Sequence, residues 1–312
     1  MTNQPFLQEV ENDSGLNNLK STQDWLKENK IFIELKLEEH GAIIFKDLPV
    51  KTAEDFDQFV STFNYETFTY EESLSNAVRI NKTDKVFTAN EAPREVEIFL
   101  HHEMAQTPTY PKNIFFFCKS ASETGGETPL CRSDQLYEAL LKADKALVES
   151  FEKFGVIYNS IMSSGDELIS GQGRSWQKTL GVSSKNDAEA KLSKLGYSWN
   201  WIEDDNLSVT TKTLQATEAL GNGQKSFFNQ VIAASLGWKK NSENQIAPVR
   251  FGNGEEIKES YIELISELAQ SLTLLRSWQD HDILLIDNYR VMHGRKPFAG
   301  YKNREVLVSL TN

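Results

Sequence analysis

The sequence predicts an α+β protein whose strands come from the start, middle and end of the chain and are flanked by helices. Three observations predict it. Short apolar runs of strand length occur in His40-Gly41-Ala42-Ile43-Ile44-Phe45, Ile114-Phe115-Phe116-Phe117-Cys118, Ile283–Ile286 and Val306–Leu310. Segments with helical apolar spacing lie between them. Regular βαβ alternation and a glycine-rich phosphate loop are both missing, which argues against a doubly wound nucleotide-binding fold.

Each element has a local reason. Residues 1–20 are polar and aperiodic and read as a loose N-terminal arm, with one domain over 21–312. Ser21-Thr22-Gln23-Asp24 reads as a capped start of a short helix through Trp25 and Leu26. Thr52-Ala53-Glu54-Asp55 is a second capping pattern, and its helix carries Phe56, Phe59, Val60 and Phe63 on one face. The strand at Ile114–Cys118 and Thr128-Pro129-Leu130-Cys131, punctuated by Gly125-Gly126, read as a hairpin with a long loop. Ser133 is expected to cap a helix reaching Phe154 and stopped by Gly155. A further helix is expected over Glu256–Ser277, with Tyr261, Leu264, Ile265, Leu268 and Leu272 at helical spacing. The stretch from about 160 to 225 is rich in Ser, Gly, Asn, Asp and Lys and reads as a lid-like insertion.

Composition narrows the partners. With 33 Lys+Arg against 45 Asp+Glu, the net charge is −12, which disfavours nucleic acid and anionic membrane surfaces. The first residues lack a secretory pattern, and no run of about 18 apolar residues suggests a membrane span. Two cysteines, Cys118 and Cys131, do not make a disulfide framework and suit a reducing cytoplasm.

The chemistry concentrates in a few of the five histidines. If Phe99-Leu100-His101-His102-Glu103 is strand, His101 and Glu103 share a face and His102 points away. An imidazole and a carboxylate on one face can hold a metal once a third ligand joins them, giving a 2-His-1-carboxylate site with open positions. His-x-Glu by itself is a weak signal. The second cluster, Asp287-Asn288-Tyr289-Arg290-Val291-Met292-His293-Gly294-Arg295, strengthens it because a buried strand delivers His293. Arg304 follows on a core-bound strand. Its guanidinium needs an anion, either a protein acid or the distal carboxylate of a bound dicarboxylate. His40, His102 and His281 read as structural or exposed, and Trp199 and Trp201 as packing groups.

The chain resembles the taurine dioxygenase (TauD/TfdA) and clavaminate synthase-like family of Fe(II)- and 2-oxoglutarate-dependent dioxygenases, and most closely its SyrP-like branch. The matching passages are Val86-Phe87-Thr88-Ala89-Asn90-Glu91-Ala92-Pro93, Leu100-His101-His102-Glu103, Gly125-Gly126-Glu127-Thr128-Pro129-Leu130 and Phe227-Phe228-Asn229-Gln230. They end with the run from Asp282 through His293-Gly294-Arg295 to Arg304-Glu305-Val306, so the resemblance spans from about His40 to the C-terminus. It implies a double-stranded β-helix (jelly-roll) core. It also implies that His101, Glu103 and His293 bind Fe(II), that Arg304 binds 2-oxoglutarate, that Thr128 assists, and that O2 is co-substrate.

The resemblance further implies hydroxylation of an unactivated C–H bond in an amino-acid-like small molecule, free or carrier-tethered, with release of succinate and CO2. Halogenating relatives carry a small residue where Glu103 stands, so halogenation is disfavoured. Sulfonate-type members place a second arginine four residues beyond the cofactor arginine; Val308 stands there, which argues against a taurine-like substrate. Gln106, Arg174, Asn229 and Arg295 are the candidate substrate contacts. The alternatives are desaturation or cyclisation by the same cofactors and a non-catalytic binding protein on the same scaffold. No His-Glu-x-x-His helix supports a zinc hydrolase.

Overall fold

A computed structural model describes residues 6–69, 74–75, 77–166, 173–221, 223–238 and 246–312. The chain is a mixed α/β structure dominated by antiparallel pairs. The largest sheet has six strands in the order β1 (Gln8–Val10), β2 (Ala42–Phe45), β15 (Ile283–Asp287), β5 (Asn113–Ser120), β18 (Glu305–Thr311) and β3 (Phe87–Thr88). A four-stranded sheet runs β14 (Thr273–Arg276), β7 (Thr128–Arg132), β16 (Val291–Arg295) and β4 (Ile98–His101). A second four-stranded sheet runs β13 (Val249–Phe251), β8 (Val156–Met162), β10 (Leu207–Thr210) and β9 (Ser198–Trp201). Two ribbons complete the strands, β17 (Phe298–Ala299) with β6 (Thr124–Gly125), and β11 (Glu218–Gly221) with β12 (Gln224–Ser226).

The unbroken apolar runs are explained by burial on both faces of the large sheet. On one face Ile44, Phe116, Ile286 and Leu310 pack with Leu130 and Val291 of the sheet that carries β16. On the other, Ile43, Phe45, Phe115, Phe117 and Leu285 pack on α1 (Leu19–His40) and α2 (Ala53–Ser61) through Leu26, Ile33, Phe56 and Phe59. The far side of the β16 sheet is covered by α3 (Ser133–Ala143), α4 (Lys145–Phe154), α7 (Val231–Gly237) and α8 (Glu259–Ser271), with Cys131 and Met292 against Leu136, Leu140, Val231 and Ile265.

The Thr52 cap is present as expected: its hydroxyl accepts from Asp55 N at 3.1 Å, and the Asp55 carboxylate accepts from Thr52 N at 3.1 Å. Thr52→Ala should cost about 1 kcal/mol of stability. Urea denaturation checks this, and an unchanged midpoint would remove the cap from the account.

Several expectations are corrected. The N-terminal segment is not loose over its described part, because β1 pairs in parallel with β2, Gln8 opposite Ile43. Three residues pairing through backbone leave no apolar signature; residues 1–5 of the expected arm lie outside the described residues. Helix α1 starts earlier, with Asn18 as its cap and Ser21 at the third helical position closing a capping box. Asp144 interrupts the helix expected after Ser133, and its carboxylate accepts from Leu147 N at 2.9 Å to start α4. The helix expected to Ser277 stops at Ser271, and Thr273–Arg276 pairs with β7 instead.

The hairpin is absent. Strand β5 is already paired on both sides by β15 and β18, so the chain crosses at Gly125-Gly126 into the other sheet. Residues 160–225 hold parts of the β8 sheet, with α5 (Trp176–Leu180) and α6 (Lys185–Leu195) on it. Their own apolar cluster includes Met162, Trp176, Leu180, Leu192 and Val209, with Trp199 and Trp201 packed against it. Residues 167–172 and 222 of that stretch lie outside the described residues.

Candidate active site

Strands β4 and β16 run antiparallel with His293 opposite His101. That register sets the two imidazole centroids 4.4 Å apart. Glu103 joins them by a different route from the strand alternation expected of it. Strand β4 ends at His101, and the chain turns through Met104 at φ 59°. Asn288, fully buried, holds this turn: its Oδ1 accepts from Glu103 N at 2.8 Å, and its Nδ2 donates to Glu103 O at 3.1 Å and Pro111 O at 2.8 Å. One ligating atom from each of His101, Glu103 and His293 lies within 4.8 Å of the others.

Protonation suits ligation. His101 Nδ1 donates to Phe99 O at 2.8 Å, which leaves Nε2 free as a ligand. Burial, reinforced by His293, pushes the His101 pKa down to about 4, so the ring is neutral at pH 7. Burial by itself would raise the Glu103 carboxyl, but Arg79 at 2.8 Å and the two histidines outweigh it and hold the group well below the usual carboxylate range. His102 points elsewhere, its Nδ1 donating to Asn288 O and its ring against Phe228 at 4.5 Å. Two imidazole nitrogens and one carboxylate oxygen leave three positions of an octahedral Fe(II) open, so the donor set fits that metal.

Thr128 and Arg304 line the same cavity as the trio, a space of about 350 Å³. Thr128 opens β7, and its Oγ1 accepts from Trp278 Nε1 at 2.9 Å. Arg304 lies just before β18, donates from Nη2 to Gly126 O at 3.2 Å and stacks 5.3 Å from the Phe298 ring. Burial lowers its pKa, and its Nε has no hydrogen-bond partner. Among the described residues no acid pairs with it.

The family model described as taurine catabolism dioxygenase TauD, TfdA family matches residues 7–310. The chain belongs to the TauD/TfdA family. It is a 2-oxoglutarate-dependent dioxygenase, with Fe(II) and 2-oxoglutarate as its cofactors. A clavaminate synthase-like protein of Arabidopsis thaliana is 32% identical over 286 residues, covering 91% of this chain and 86% of its own. The dapdiamide synthesis protein DdaC of Enterobacter agglomerans is 28% identical over 289 residues, covering 88% and 83%. The solved structure of AAD-2 with Mn(II) and N-oxalylglycine has the same fold, at TM-score 0.52 and 15% identity over 98% of this chain and 94% of that one.

The four candidate substrate contacts of the dioxygenase separate. Gln106 lines the cavity, with its buried Oε1 lacking a hydrogen-bond partner. Arg295 also lines it, but donates to the carbonyls of Asn90, Ala92, Pro93 and Val96 at 2.7–3.4 Å, so its guanidinium ties down that segment. Asn229 is buried outside the cavity lining; it donates to Ala216 O at 3.0 Å and accepts from Val231 N at 2.9 Å. Arg174 donates to Ser75 O at 3.3 Å and likewise does not line the cavity.

Sequence reasoning did not single out Arg79, Asn288, Gln230 or Trp278. Asn288 and Gln230 lie in the His293 cluster and a family passage, and a buried amide, just after β15 for Asn288 and at the start of α7 for Gln230, is the available signal. Gln230 Nε2 donates to His102 O at 2.9 Å. The Arg79–Glu103 pair joins loop residues 24 apart and obeys no spacing rule.

Gly126 has a close-approach requirement. Its φ is +74°, and a Cβ there would meet Arg304 Nε at 2.9 Å and Ser122 Oγ at 2.6 Å. Gly126→Ala is therefore expected to displace Arg304 and raise the 2-oxoglutarate KM several-fold, about 1 kcal/mol or more. A KM equal to that of the wild type would show that Arg304 has room to shift.

Proposed function

We propose that the dioxygenase hydroxylates an unactivated C–H bond of an amino-acid-like small molecule. The observation that carries the reading is a His-Glu-His cluster sharing one cavity with a half-buried arginine that pairs with no acid among the described residues. Fe(II) held there, with 2-oxoglutarate and O2, would supply the oxidising chemistry, one oxygen atom going to the product and the other to the succinate formed with CO2. His101, Glu103 and His293 hold the metal. Arg304 presents a two-pronged donor to the distal carboxylate of 2-oxoglutarate, and Thr128 adds its hydroxyl.

Gln106, Asn159, Ser160, Asn206 and Gln230 line the cavity beside Trp238, together with the charged Arg79, Glu97 and Arg295. They suit the amide and amine groups of an amino-acid derivative. The relative named for dapdiamide synthesis points the same way. Carrier-tethered and free forms of such a substrate share this chemistry.

The core is read as a double-stranded β-helix, with the β5 and β16 sheets as its two walls. The segment from about 160 to 225 is read as a lid: Ser160, Ile161, Ser163 and Asn206 face the cavity while a separate apolar cluster stiffens the segment behind them. Such a lid excludes water from the reacting groups. No helix among the described residues is long and apolar enough to cross a membrane. Burial pushes the thiol pKa values of the free Cys118 and Cys131 up to about 12, so both thiols stay protonated.

The test supplies Fe(II), 2-oxoglutarate and O2 with a panel of amino-acid-like compounds, free and carrier-tethered. Succinate formation stimulated by one compound, with a product heavier by one oxygen, is the expected result. Unconsumed 2-oxoglutarate across the panel counts against the reading.

A further inference from the structure

We propose that Arg79 is a positioning residue that occupies one oxygen of Glu103 and so keeps this carboxylate a one-oxygen metal ligand. The inference rests on the metal-site reading above. Arg79 Nη2 donates to Glu103 Oε1 at 2.8 Å, whereas Oε2 of the same carboxylate lies 3.4 Å from His293 Nε2. The two oxygens are thereby divided, one toward the guanidinium and one toward the histidine cluster. Both side chains are nearly dry, 6% and 5% exposed. Breaking such a pair leaves an uncompensated buried charge, so the division is held firmly.

The chain builds a seat for this arginine. Ile80 N donates to Thr88 Oγ1 at 3.0 Å, and Thr88 N returns a bond to Ile80 O at 2.9 Å. The residue next to Arg79 is thus tied to β3. The guanidinium carbon lies 5.3 Å from the centroid of the Phe87 ring, whose face favours a cation.

The consequence is chemical. A 2-His-1-carboxylate centre keeps three open positions only while its carboxylate uses one oxygen. 2-Oxoglutarate and O2 would need those open positions, so a two-oxygen Glu103 would compete with the cofactor. An oxygen engaged in a charge-assisted hydrogen bond is withdrawn from that competition. Arg79 therefore acts on cofactor binding through Glu103.

The test uses the metal-free full-length protein, with Co(II) as a spectroscopic probe and O2 excluded. The visible spectrum of the Co(II)-loaded protein and the Kd for 2-oxoglutarate are measured for wild type, Arg79→Leu and Arg79→Lys. Arg79→Leu is expected to weaken 2-oxoglutarate binding at least about tenfold and to alter the Co(II) spectrum recorded before 2-oxoglutarate is added, whereas Arg79→Lys stays within about threefold. Arg79→Met repeats the measurement if Arg79→Leu lowers the folded fraction. A merely structural role would lower the melting temperature yet leave the spectrum and the 2-oxoglutarate affinity of the folded protein as in wild type; that result overturns the proposal. A wild type that fails to bind Co(II) overturns the metal-site reading itself, and the inference with it.

Discussion

Alanine at His293 is expected to remove substrate-dependent succinate formation. His293 sits on β16 directly opposite His101, and its Nε2 faces Glu103. Removing it leaves His101 and Glu103, with the buried carboxylate facing a void. Changes one shell beyond the ligands already cost about 10–100-fold in affinity or activity, so loss of a ligand should exceed about 100-fold. His101→Ala should behave alike, because the two rings occupy equivalent cross-strand positions. Succinate release and iron content after dialysis are the measurements. Turnover near that of wild type in either folded variant would sink the ligand assignment.

Arg304→Ala raises the 2-oxoglutarate requirement by about 100-fold, if two charge-assisted bonds worth about 1.5 kcal/mol each are lost at about 1.4 kcal/mol per tenfold. The fold should be little affected. Arg304 precedes β18, and its one hydrogen bond to the described protein goes to Gly126 O. Arg304→Lys should recover only part of the loss, since an ammonium cannot offer two parallel donors to one carboxylate. The 2-oxoglutarate KM and the melting temperature, measured together, separate cofactor binding from stability. An unchanged KM in a folded Arg304→Ala protein refutes the cofactor role.

Both predictions concern residues that short-range patterns exposed. His101 closes the apolar strand β4 and Arg304 is a charge at the mouth of β18, whereas His293 lies inside β16, beyond a turn, and not at the end of the Ile283–Ile286 strand as expected. Such features are legible because strand burial and charge desolvation act on neighbours in the chain. The Thr52 cap and the helical face of Phe56, Phe59 and Val60 are legible for the same reason. The structure departs from the expected hairpin and long last helix where an apolar run has more than one acceptable partner. Strand β5 was free to pair with β7 on local grounds, but β15 and β18 already occupy both of its edges.

The candidate substrate contacts show the same division. Arg295 stands beside a metal ligand in sequence, yet four backbone carbonyls engage its guanidinium. Asn229 lies in a family passage, yet its amide closes bonds to Ala216 and Val231. Only the folded backbone reveals which polar groups have found partners.

Local pattern and the family resemblance thus sufficed for the strand cores, the capped α2 and the proposal that His101, Glu103, His293 and Arg304 form one site. Tertiary structure decided the sheet partner of β5, the turn that carries Glu103 inward and the arginine that engages one of its oxygens. The reason is physical. Periodicity and capping follow from contacts within a turn or two of chain, whereas hydrogen-bond satisfaction and charge pairing depend on which distant groups packing brings together.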